Sequence, residues 1–80
     1  MRKYVYDILR AVLKEENKYI DKELFKAILN TTVNVLSGKN NIEDGVKLAS
    51  KIYKNSKTKK PFSEKEIEKY VRKVIKIYKL

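Results

Sequence analysis

Four stretches of apolar residues at helical spacing, separated by short polar breaks, constrain this chain more than any other feature of its sequence. Over residues 3–16, Tyr4, Val5, Ile8, Leu9, Val12 and Leu13 recur at the spacing that sets them on one side of a helix. Tyr4, Tyr6 and Ile8 also alternate as a strand would, but the stretch runs on in helical register without a turn. The second segment, 21–37, opens at Asp21, whose carboxylate can accept from the unpaired amides of a first turn. Ile20 and Phe25 flank that start as a hydrophobic staple, and Gly38 marks the end. The third, 41–54, begins at Asn40 or Asn41 and carries Glu43 and Asp44 where negative charge suits the helix dipole. The fourth, 63–79, has the plainest start: Pro61, then Phe62 as staple to Ile67, then Ser63 as cap with Glu66 three residues on. The loops, 17–20, 38–41 and 55–62, are short enough that helices pack on their sequence neighbours. The predicted fold is all-α, a small antiparallel bundle of four helices forming one domain over residues 1–80.

Eighty residues approach the lower limit at which a core holds without staples, and this chain has none to offer. Cysteine is absent, which excludes disulfides and thiolate metal sites; histidine is absent too. With neither residue, and with only Gly38 and Gly45 where a phosphate-cradling loop would need more, the usual general base, nucleophile and nucleotide cradle are all missing. The acidic groups Glu15 with Glu16, Glu43 with Asp44, and Glu64 with Glu66 and Glu68 fall at helix ends, without the spacing of a calcium loop. The expectation is a protein without catalysis, cofactor, metal or small-molecule substrate. No apolar run nears the ~18 residues of a membrane span, and no leader pattern opens the chain, so a cytoplasmic location without a membrane partner is expected. Abundant Lys, Glu, Ile and Tyr resemble thermophile usage, against which six Asn residues weigh.

The charge is placed unevenly. Residues 47–80 hold twelve of the twenty basic side chains against Glu64, Glu66 and Glu68, while residues 1–46 are nearly neutral. Projected at about 100° per residue, Lys65, Lys69, Arg72, Lys73, Lys76 and Lys79 share an arc of about 120° on the fourth helix, opposite Ile67, Tyr70, Val71, Val74, Ile77 and Tyr78. On the third, Lys47, Lys51 and Lys54 fall within about 60°, opposite Gly45, Leu48, Ala49 and Ile52; Lys57, Lys59 and Lys60 add charge from the loop. A solvated face accounts for charge, but not for one sign of it: on the fourth helix Glu68 with Arg72, and less well Glu66 with Lys69, supply the mixing usual on a merely soluble surface. These twelve residues form the candidate nucleic-acid-binding face. DNA is expected ahead of RNA, with contacts to the backbone, because Lys meets phosphate as a point charge while reading guanine is mainly Arg chemistry. An accessory or architectural subunit of a replication, transcription or RNA-processing assembly fits such a surface.

Competing readings remain. Apolar residues on the first helix spread over roughly 220°, more than a core stripe needs, so either this helix is the most enclosed element or part of it, with Tyr6, Leu9 and Leu13 as the candidate protein interface, docks on a larger protein or a second copy. The alternative function is therefore a protein-interaction adaptor, docking through that helix or holding an acidic partner on the basic face. A helix-turn-helix regulator is a lesser alternative, since Gly38 stands near the required turn but Glu43 and Asp44 place acid where phosphate is expected. The spacing puts Tyr53, Tyr70 and Tyr78 on apolar arcs with hydroxyls reaching water, leaving Tyr19, beside Lys18, as the freest ring for stacking.

Overall fold

The computed structural model describes residues 1–54 and 64–80, the side chains of residues 53 and 54 excepted. It contains α1 (Arg2–Glu15), α2 (Lys22–Leu36), α3 (Ile42–Lys54) and α4 (Glu64–Tyr78), and the described residues include no strand. The four-helix bundle expected from the periodicity is the observed architecture. The predicted start signal at Pro61, Phe62 and Ser63 lies outside the described residues.

Local chemistry explains where the helices stop. After α1, Asn17 takes a left-handed backbone (φ 52), which turns its amide onto the Lys14 carbonyl at 3.0 Å and the Lys18 amide onto that of Leu13 at 2.9 Å. After α2, Gly38 (φ 80) does the same: its amide reaches Val35 at 3.1 Å and that of Lys39 reaches Asn34 at 2.9 Å. Asn41 then caps α3, its Oδ1 accepting from the Asp44 amide at 2.8 Å. Asp21 holds the extended N-cap backbone of α2, yet its carboxylate accepts no capping bond, contrary to expectation. The staple is what remains of that signal, with Ile20 in the core and Phe25 packed against it.

The core joins Val5, Leu9, Leu24, Ile28, Ile67, Tyr70, Val71 and Val74, none of which retains appreciable surface. Helix α4 packs against all three others, whereas α1 and α3 do not meet. Tyr4 near the start of α1 meets Tyr78 at the end of α4 at a tilt of 47° (centroids 5.3 Å apart), while Glu16 and Lys18 past the end of α1 pair with Lys69 and Glu66 in the first half of α4, so these two helices run in opposite directions. Helices α2 and α3 approach closely at Gly45, where a Cβ would stand 3.0 Å from Thr31 Cγ2. The buried hydroxyls of Thr31 and Thr32 donate back to the Ala27 and Ile28 carbonyls at 2.7 and 2.8 Å, so neither is stranded in the apolar interior.

Packing settles the face of α1 and corrects those of α3 and α4. The wide apolar arc of α1 resolves into a core stripe, Val5, Ile8, Leu9, Val12 and Leu13, with a ring on each edge: Tyr4 against α4 and Tyr6 edge-on to Phe25 of α2. On α3 the buried side is Gly45, Val46, Ala49 and Ser50, while Leu48 and Ile52 are 50% and 60% exposed, because α2 and α4 cover a sector rotated away from the projected arc. On α4, Ile75 is buried and Ile77 lies at the edge.

Candidate nucleic-acid interface

Every described basic residue of α4 lies opposite its buried face of Ile67, Tyr70, Val71, Val74 and Ile75. Lys47 and Lys51 of α3 are likewise exposed. The side chain of Lys54, and all of Lys57, Lys59 and Lys60, lie outside the described residues. What divides the remaining cations is whether a carboxylate reaches them.

Glu16, just past the end of α1, draws three α4 side chains to one carboxylate. Lys73 Nζ donates to its Oε2 at 2.8 Å, the Tyr70 hydroxyl donates to its Oε1 at 3.2 Å, and Lys69 Nζ stands 3.7 Å from Oε1. Lys18 reaches Glu66 at 3.7 Å beside them, and the ammonium groups of Lys18 and Lys69 lie over the Tyr70 ring at 5.7 and 5.5 Å. The hydrogen bond from Lys73, aided by the charges of Lys69 and Lys73, holds the Glu16 carboxyl below its ordinary range. That same bond raises Lys73, and burial raises the Tyr70 phenol. Burial pulls Lys18 down, but Tyr70 and Glu66 together outweigh it and the ammonium is raised. The Tyr70 hydroxyl thus meets Glu16 rather than water, and Lys69 and Lys73 form an ionic seam between α1 and α4. Arg72 is held within its own helix by Glu68 at 3.1 Å, the i, i+4 pair expected from the sequence.

Lys65 and Lys76 of α4, and Lys79 just past its end, remain exposed, and among the described residues none of them, nor Lys47 or Lys51, forms an ion pair. On α3, Leu48 and Ile52 mark the α2 side by bordering a groove with Ala27 and Thr31, and Lys47 and Lys51 stand exposed outside that groove. The five lysines are thus exposed on two helices that pack together. Of the candidate protein interface on α1, Leu9 and Leu13 are 0% and 7% exposed; the core has claimed them, and only Tyr6 is at the surface. Glu43 and Asp44 stand exposed at the start of α3, where a recognition helix would need to approach phosphate.

Glu16 stands in the sequence as one of the acids at helix ends, with no partner assigned to it. A signal was present: an acid at the C-terminal end of a helix, where the dipole disfavours it, implies a cation from elsewhere in the fold. No group of acidic residues among those described could hold a metal ion, and none of their helices is long and apolar enough to cross a membrane. Compared with models of protein families, with curated proteins and with solved structures, the chain matches none.

Proposed function

We propose that this chain is a non-catalytic nucleic-acid-binding protein that grips the phosphates of a duplex, DNA ahead of RNA, through the exposed lysines of α3 and α4. It acts as an accessory or architectural component rather than as a reader of sequence. The observation that carries the reading is the set Lys47, Lys51, Lys65, Lys76 and Lys79: five exposed ammonium groups on adjoining helices, none paired with a carboxylate among the described residues. Concentrated like charge opposes folding and attracts polyanions, and Lys presents it without the bidentate geometry that reads bases. An acidic protein surface would satisfy the same ammonium groups, and salt dependence separates the two: contact with about five duplex phosphates makes log affinity fall against log salt with a slope near −4.5.

The test is an anisotropy titration of duplex DNA, duplex RNA and an acidic protein at several salt concentrations, repeated with Lys65→Glu, Lys76→Glu and Lys79→Glu combined. Losing about three phosphate contacts lowers duplex affinity several hundred-fold near ~0.1 M salt and flattens the slope by about 2.7. Unchanged duplex affinity in the triple variant, or stronger binding of the acidic protein, rejects the reading.

A further inference from the structure

A groove of about 940 Å³ lies between α1 and α2. Six of its lining residues are cationic: Arg2, Arg10, Lys14, Lys18, Lys22 and Lys26. No carboxylate lines it. The near-zero net charge of residues 1–46 conceals this, because none of their acids lines the groove. Three aromatic rings stand among the cations. Tyr19, in the connector between the helices, is 91% exposed; Tyr6 is 38% exposed, its ring edge-on to Phe25 with centroids 5.1 Å apart. Arg10 donates to the Tyr6 hydroxyl at 3.3 Å, and its guanidinium lies 5.8 Å from the ring centre, which steadies the ring at the groove wall.

We propose that this groove binds single-stranded nucleic acid, with bases stacked on Tyr19 and Tyr6 and the strand's phosphates on the surrounding Arg and Lys side chains. Aromatic faces interleaved with cations are what a single strand needs, and a duplex, whose bases are already stacked, cannot use the rings. The floor argues against an acidic amphipathic peptide. Leu13, Ile20 and Leu29 are already buried by the bundle, so a peptide's aliphatic side chains would find little surface to cover, whereas stacking requires only exposed rings. A second copy of this chain is disfavoured by charge, since each carries +10. The inference shares with the proposed function the class of ligand, but it uses none of the α3–α4 lysines.

The experiment measures anisotropy of labelled oligothymidylate and oligouridylate, each of about twelve nucleotides and so within usual site sizes, beside a hairpin duplex. Tyr19→Ala weakens the single strands by about five- to a hundredfold and leaves the hairpin unchanged, because the ring is 91% exposed and its loss leaves the core intact. Tyr19→Phe keeps the affinity. Lys14→Glu with Lys22→Glu lowers the single-strand salt slope by about 1.4, while reversal of Lys65, Lys76 and Lys79 leaves it in place. Single-strand affinity that survives both groove variants overturns the inference. So does displacement of the strand by a Glu- and Leu-rich peptide at lower concentration than by unlabelled oligothymidylate. Single strands that do not bind while the hairpin does refute the groove alone; hairpin binding lost with single-strand binding kept refutes the α3–α4 surface alone.

Discussion

Two parts of the α4 stripe carry lysines, and the fold treats them in opposite ways. On the flank facing α1, Lys69 and Lys73 close on Glu16, and Tyr70 donates to the same carboxylate from beneath. Elsewhere on the exposed stripe, Lys65, Lys76 and Lys79 meet no carboxylate among the described residues. A helical projection cannot separate them, because what neutralises a charge is a neighbour in space. Part of a cationic stripe is therefore structural, and only the remainder is open to a ligand.

The comparison breaks most visibly at Tyr70, which is almost fully buried beneath the α1-facing flank. Tyr70→Ala removes a core ring and a partner of Glu16, and is expected to destabilise by about 3–5 kcal/mol in urea unfolding. Leu9→Ala, on the α1 side of the same core, is expected to cost about 2–5 kcal/mol. Were Leu9 a docking residue instead, as its sequence allows, its truncation would leave unfolding nearly unchanged. Lys65→Glu, in the unpaired part of the stripe, stays within about 0.5 kcal/mol. If all three variants unfold at the same urea concentration, the two parts do not differ as described.

A smaller effect sharpens the contrast through pH. Glu16 is held below its ordinary value of 4.5. Its contribution to stability is therefore fully present above that value and is lost as pH falls through the lower folded value. Lys73 is raised above its ordinary 10.5, so its contribution is present below that value and lost as pH climbs through the higher folded one. Thermal unfolding of wild type and Glu16→Gln should differ by a constant amount across neutral pH and converge in acid. Lys73→Glu sets two carboxylates together and lowers the melting temperature at neutral pH, whereas Lys76→Glu does not. Parallel acid profiles for wild type and Glu16→Gln would show that the seam contributes nothing.

Much of the fold was legible in the sequence because it rests on local chemistry. The breaks after Leu36 and before Ile42 follow from Gly38 and Asn41, and the α1 core stripe from its spacing. Faces were harder. Leu48 and Ile52 look buried in projection but stand in solvent, since the sector of α3 that is covered depends on where α2 and α4 lie. The Glu16 seam joins residues 57 positions apart, and no periodicity reports such a pairing. The cationic groove escaped for a related reason: counting charge along the chain averaged its six cations with acids that the fold sends elsewhere.

The smallest predicted effect concerns the residue that aims Glu16 at α4. Asn17 turns the chain with a positive φ, and the two backbone bonds it permits close α1 directly beside Glu16. Asn tolerates this conformation better than other residues with a Cβ, while Gly enters it freely but loses more entropy on folding. Asn17→Gly should therefore change stability by no more than about 0.5 kcal/mol, the two tendencies nearly offsetting each other. A β-branched side chain has no such compensation, and Asn17→Val should cost about 1–2 kcal/mol. The decisive reading is the double variant with Glu16→Gln. If the turn acts by delivering Glu16 to Lys73, the cost of Asn17→Val shrinks once the carboxylate is gone; if the turn only ends the helix, the two costs add.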